Sequence, residues 1–494
     1  MITQLLTFIT YLFIFLFPLF SLPFTADSYE YNKMTILVGF DLTFLFLLTL
    51  KWIREGKITV RRSLFDIPLF LIAGITLIST LFQSPNVTVA LTTPLGTSTI
   101  IAGFFLYFLL TQTVQDSHKK TFLFILTIDS ILISFYTLLL YLGILPQSLF
   151  TPAGSLPPTA IFLGIMAVYL FARILQDTFM LSAGDTKEGL PNEASLALSP
   201  TNSGAILKRS LGYLSGRTRE LKFDHLTIFH IFSFLLTTGT TLLIIFHLFT
   251  DQKPSILPIQ FGWAILLEVL KNIRTLSLGI GPTNFMTAFT LGKPALINTS
   301  SVWNIIFTTS SSFLFTLVSE TGLFTGILYI VILIKSIKRI IKSTSHFPLI
   351  ISLITLLLAL IFLPANMTVF ILLMILLALA SNQPFDSAQG KQLTMHLTQW
   401  TVVNYLLFIP IGLGIGLAAY LAGRAYSAEV VFKQSLDHLV NNQGSAAYAL
   451  QKSAIALNPY LDRYHLAFSK TNLALAHALS GKKNLSDAEK QTLP

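Results

Sequence analysis

The feature that most constrains this chain is a succession of apolar runs of bilayer-spanning length, separated by short polar stretches. They occupy about 4–24, 34–52, 64–83, 96–113, 121–142, 158–175, 226–249, 312–334, 347–363, 366–381 and 401–422. A hydrocarbon core of about 30 Å takes roughly 20 helical residues, so the sequence predicts an all-α polytopic membrane protein with about eleven transmembrane helices. Composition agrees: 11% of residues are charged and mean hydropathy is +0.72, where soluble chains carry about 25% charged residues. The first run lacks a charged leader and a small-residue cleavage site, so it reads as a helix and not a signal peptide.

Charge then orients the bundle. Lys51, Arg54, Lys57, Arg61 and Arg62 crowd one loop; Lys119, Lys120, Arg173, Lys335, Lys338, Arg339 and Lys342 mark others. All fall on one side if the N-terminus is cytoplasmic, as the excess of Lys and Arg in cytoplasmic loops requires. The net charge of +10 is therefore topogenic, and no nucleic-acid partner is expected. With no cysteine in the chain, disulfides, thiolate nucleophiles and cysteine-ligated metals are excluded.

Four regions follow. Residues 1–250 hold helices one to seven, with a polar cytoplasmic insert at 176–225 that ends in Lys208, Arg209, Arg217, Arg219 and Lys222. Low hydrophobicity without periodicity makes that insert a flexible loop, whose basic patch could meet anionic lipid headgroups. Residues 251–311 form an extracytoplasmic loop, and 312–422 hold helices eight to eleven. Residues 423–494 show Ala, Leu and Tyr at helical spacing with a break at Asn458-Pro459, like one and a half tetratricopeptide units. A repeat array needs about three units, so this tail is expected to be incomplete and unable to fold alone.

The loop concentrates the polar signals. Glu268, Lys271, Asn272 and Thr275 share one face of a helix over 261–275 that is expected to lie in the membrane interface. Lys271 and Arg274 would then sit at headgroup height, where positive charge stabilises a leaving pyrophosphate. Gly279-Ile-Gly281-Pro282 is a tight turn whose amides could cradle phosphate. Asn284, Trp303 and Asn304 offer amide hydrogen bonds and stacking for a sugar, although tryptophan is also common at interfaces. Glu320 is the sharpest signal, a lone carboxylate two turns into an apolar run, where an ionisable group is costly and points to function. Asp41 and Asp129 carry the same argument less strongly.

The stretches LEVLKNIRTLSLGIGPTNFMTAF and VWNIIFTTSSSFLFTLVSETGLFTG resemble the signature of the O-antigen ligase and polymerase superfamily, as do 150–170 and the tail. The resemblance implies a metal-independent, cofactor-free glycosyltransferase of the bacterial cytoplasmic membrane. Such an enzyme moves a glycan from a polyprenyl-pyrophosphate carrier to an acceptor on the outer side, among membrane lipids, with the tail open to a protein partner. The family motif has a His and a polar neighbour nine residues before Gly-x-x-Thr; here Gly322-Leu-Phe-Thr325 places Ser311 and Ser312 at those positions. Thr309 and Gln260 replace the family's basic residues. A hydroxyl is no general base near neutral pH, which leaves Glu320 as the expected base. Two other readings are a catalytically silent member that binds lipid-linked glycan, and a transporter. The Gly412/Gly416 spacing fits close helix packing, and no inverted repeat supports transport.

Overall fold

The computed structural model describes residues 2–113, 116–145, 150–184, 225–250, 256–342, 346–381, 392–396 and 402–480. The basic patch of the insert lies outside them. In chain order the helices are α1 (Ile2–Leu19), α2 (Glu30–Glu55), α3 (Asp66–Gln83), α4 (Val87–Thr92), α5 (Thr97–Thr113) and α6 (Asp116–Tyr141). Then come α7 (Leu156–Gly184), α8 (His225–Thr250), α9 (Ile259–Leu270), α10 (Ile273–Leu278) and α11 (Phe285–Gly292). The last group is α12 (Phe313–Thr321), α13 (Leu323–Lys342), α14 (Phe347–Phe362), α15 (Met367–Ser381), α16 (Val402–Val440), α17 (Gly444–Leu457) and α18 (Asp462–Ser480). Two small antiparallel ladders complete the described residues: β1 (Lys57–Arg61) pairs with β4 (Gln392–His396), and β2 (Phe150–Thr151) with β3 (Gly154–Ser155).

Eight helices among the described residues are long and apolar enough to cross a membrane: the first seven expected spans and the last. The other three differ from expectation. α14 and α15 have only 16 and 15 residues, and the eighth run is split into α12 and α13 at Gly322, whose φ is +92°. All fifteen residues of α15 are buried. It touches α5 closely enough that a Cβ on Gly103 would lie 2.5 Å from the Phe370 ring. Small residues allow such approach where no hydrophobic force drives helices together in lipid. Many hydroxyls inside the bundle are satisfied locally: Thr10, Thr76, Thr80 and Thr137 each donate to the carbonyl four residues back. This habit lets Ser and Thr enter apolar helices without an unmet donor.

At the end of the bundle carrying 256–311, a polar knot ties three segments together. The Glu30 carboxylate accepts from Met367 N (2.8 Å) and Asn366 Nδ2 (3.1 Å). Asn366 Nδ2 and Thr368 Oγ1 both donate to Ala153 O, and Asn366 Oδ1 accepts from Val369 N at 2.9 Å to cap α15. Lys33, fully buried, donates to Phe20 O and Pro152 O.

The tail does not begin with a break. α16 runs unbroken for 39 residues through the expected boundary at 423, then packs with α17 and α18 around Ala428, Phe432, Ala454, Leu461 and Tyr464. This unit rests on the membrane domain. Asn86 Nδ2 donates to Tyr460 O (2.6 Å), Tyr426 Oη to Asn32 Oδ1 (3.3 Å), and Val89 packs into the tail's core. Buried Glu429 joins Arg463 and accepts from Tyr464 Oη at 2.8 Å.

Candidate functional site

The site grows out of the split in the eighth run. Breaking a helix in hydrocarbon frees carbonyls that have no water to turn to. Here the freed carbonyls of Ser319 and Glu320 accept from Ile280 N and Gly281 N, both at 3.0 Å. Ser79 Oγ on α3 reaches both sides of the crossing, at 2.6 Å from Leu278 O and 2.9 Å from Glu320 O. Thr325 Oγ1 closes the break from below on Gly322 O at 2.7 Å. The segment between α10 and α11 therefore dips back into the bundle and stops against α12.

Three glycines make the crossing possible. A Cβ on Gly279 would lie 2.3 Å from Glu320 O, one on Gly322 2.3 Å from Ser277 O, and one on Gly281 2.5 Å from Ser84 Oγ. All three have positive φ, which glycine alone adopts freely. The amides expected to cradle phosphate are consumed in the process: Gly279 N donates to Thr275 O, and the next two amides to α12. The turn is a structural clamp and leaves no anion nest.

Glu320 is 7% exposed, and the backbone N–H groups of Thr283 and Phe285, the latter opening α11, face its carboxylate. Thr283 has φ +65°, an outlier for a β-branched residue. On the segments that meet at the crossing, Ser84 Oγ, Thr283 Oγ1 and Ser319 Oγ are buried and without a partner among the described residues. A buried polar group left so costs about 1–3 kcal/mol.

The expected interfacial helix is two helices. It breaks at Lys271–Asn272 because the Asn272 side chain accepts from Arg274 N at 2.9 Å and caps α10. Lys271 pairs with Glu268 on the exposed face. Arg274 donates to Phe82 O at 3.0 Å, which places it beside the end of α3 and one helix turn above the crossing. Asn284 stands at the foot of α11 with Nδ2 on Pro282 O. Trp303 and Asn304 occupy an exposed turn beyond the loop's own core of Leu257, Phe261, Ile265, Phe285, Phe289, Ile297, Val302 and Phe307. Lys293 Nζ donates to the Trp303 carbonyl at 3.3 Å.

The two serines at the motif positions separate in role. Ser312 Oγ accepts from Phe315 N at 3.1 Å and caps α12. Ser311 and Ser310 are buried with unpartnered hydroxyls, and a Cβ on Gly262 would lie 2.2 Å from Ser311 Oγ. The structure thus places Glu320 and Asn284 at the re-entrant turn and leaves Lys271, Arg274, Trp303 and Asn304 exposed, with Arg274 held at the end of α3. It adds Ser79, Ser84 and Thr283, which nothing in their sequence neighbourhood distinguishes.

Chemically, a carboxylate with two backbone donors keeps lone pairs for an incoming O–H, and flanking hydroxyls can donate or accept as required. No family model, no curated protein and no solved structure matches this chain.

Proposed function

We propose that this protein is an O-antigen-ligase-like glycosyltransferase of the bacterial cytoplasmic membrane. It moves a glycan from a polyprenyl-pyrophosphate carrier to an acceptor on the outer side. The observation that carries the reading is the clamp itself: a broken span, a re-entrant turn and one buried carboxylate, all at the same end of the bundle as Arg274. In this scheme Glu320 takes the acceptor's proton, and Arg274 with Lys271 meets the pyrophosphate as it leaves. Asn284, Trp303, Asn304 and Ser311 line the path of the sugar, and the tail offers a surface to a protein partner.

One observation favours the silent-member reading. Both backbone donors on Glu320 make it a staple for α11, and a staple needs no chemistry. Purified protein in lipid, supplied with a polyprenyl-pyrophosphate-linked glycan, separates the two. Release of polyprenyl pyrophosphate supports transfer; its absence while donor still binds supports silence. The orientation is tested by a reporter fused after Ser480, which is expected to be active only outside the cytoplasm.

A further inference from the structure

One stretch, residues 79–96 from the end of α3 through α4 to the start of α5, is held by the re-entrant turn on one side and by the tail on the other. Toward the turn, Ser79 Oγ lies 2.6 Å from Leu278 O and 2.9 Å from Glu320 O, and Arg274 Nη2 donates to Phe82 O at 3.0 Å. A Cβ on Gly281 would lie 2.8 Å from the Ser84 backbone, and one on Gly96 would lie 3.0 Å from the Thr283 methyl. Toward the tail, Asn86 Nδ2 donates to Tyr460 O (2.6 Å) and Asp462 Oδ1 (3.2 Å) at the start of α18, and Val89 packs into the tail's core. Only Pro85 separates the residue that meets the turn from the residue that meets the tail. The stretch is also stiff. No glycine lies between Ser79 and Leu95, and Pro85 and Pro94 fix their own φ. Ser84 is extended (φ −72°, ψ 123°), as a residue before proline is. Asn86 Oδ1 accepts from Val89 N at 3.2 Å and caps α4, so one side chain joins that helix to the tail.

We propose that residues 79–96 form a strap through which the docked tail holds the re-entrant turn closed on α12, with Asn86 as the residue that fastens it. Displacing α18 from Asn86 frees the strap on one side. The turn then relies on its own contacts, the Ile280 and Gly281 amides on Ser319 O and Glu320 O, and it opens more often. Coupling between distant sites is carried by packed segments and hydrogen bonds, and here every link is a contact of one short segment. Linkage makes the effect mutual, so a closed turn also favours the docked tail. Whatever lifts α18 from Asn86 therefore reaches the turn beside Glu320. The coupling is independent of the chemistry assigned to that carboxylate.

The experiment measures amide hydrogen exchange by mass spectrometry on the full-length protein in nanodiscs. Three segments are read: 458–464 for docking of the tail, 277–284 for the turn, and 366–370 in the Glu30 knot as the reference. Asp462→Lys sets a cation against the Asn86 amide from the tail's side and leaves the strap itself unchanged. Asn86→Asp keeps the acceptor that caps α4 and sets a carboxylate against Asp462. Each single variant is expected to speed exchange in the tail segment and, by about fivefold, in the turn, the low end of coupling between sites. The double variant Asn86→Asp/Asp462→Lys replaces the hydrogen bond with an ion pair and returns both segments to within about twofold of the wild type. The reference stays unchanged in all three. An unchanged turn beside a faster tail overturns the strap, as does a tail that stays protected in both single variants. A turn that the double variant fails to restore, or a reference that speeds up with the turn, overturns it too. Turnover takes no part in the score, so the strap and the transfer reading fail separately.

Discussion

Glu30 and Glu320 perform the same mechanical act at two places on one end of the bundle. Each carboxylate reaches across the chain to the start of a helix: Glu30 accepts from Met367 N of α15, and the N–H groups of Thr283 and Phe285 face Glu320 where α11 begins. Their surroundings differ. Around Glu30 the donors and acceptors are matched: Asn366, Thr368, Ala153 and Lys33 all have partners. On the segments that meet at the Glu320 crossing, three hydroxyls have no partner among the described residues and Thr283 holds φ +65°. A satisfied knot needs no further account, whereas each unmet buried polar group calls for one.

The comparison can be broken in several ways. The largest effect is expected from Glu320→Gln, which keeps an oxygen for one amide but removes the base. Turnover should fall by about 10²- to 10⁴-fold, with donor binding unchanged in a filter assay. Turnover at the wild-type rate would reduce Glu320 to the same role as Glu30. Glu30→Ala should act on stability instead. It leaves Met367 N at the start of α15 without its acceptor, at a cost of about 1–3 kcal/mol. Reversible unfolding in mixed micelles reads this directly, and an unshifted midpoint would contradict the assignment of the knot.

Next comes Gly322→Ala, which sets a Cβ 2.3 Å from Ser277 O at φ +92°. The backbone strain alone is roughly 1–3 kcal/mol, and the crossing must shift to relieve it. Both stability and turnover should drop, while Gly39→Ala, which meets nothing within 4 Å, should change neither. The smallest effect is the most diagnostic. Thr283→Gly relieves strain at some cost in chain entropy and should raise stability by up to about 1 kcal/mol. A stability loss there would mean that packing, such as the Thr283 methyl against Gly96, holds the residue in place.

Much of this architecture was legible in the sequence, and the gaps have physical causes. Long apolar runs announce spans because lipid demands them, and the first seven and the last were visible for that reason. The split at Gly322 was not, because the residues that make it tolerable lie far off in the chain: Ser79 is 241 residues from Glu320. Glu320 itself stood out as one carboxylate in an apolar run. Ser84 and Thr283 did not, since a hydroxyl's value depends on what it fails to meet in three dimensions. The Glu30 knot escaped for the same reason, as Glu30 and Asn366 are 336 residues apart and each looks like ordinary loop chemistry. Asn272 hid the break between α9 and α10 because its capping role competes with a good amphipathic pattern.

The ladder between β1 and β4 has a consequence in time. Arg61 pairs with Gln392 and Lys57 with His396, so the first strand waits for roughly 330 residues of further synthesis before its partner exists. At about 5–20 residues per second that delay is on the order of tens of seconds. For that interval β1 is an unpaired edge at the membrane surface, open to any passing strand. Its charged ends, Lys57 and Arg61, discourage such encounters in the manner of natural edge strands. The ladder thus acts as a late fastening on the nascent chain, closed only after α15 has been synthesised.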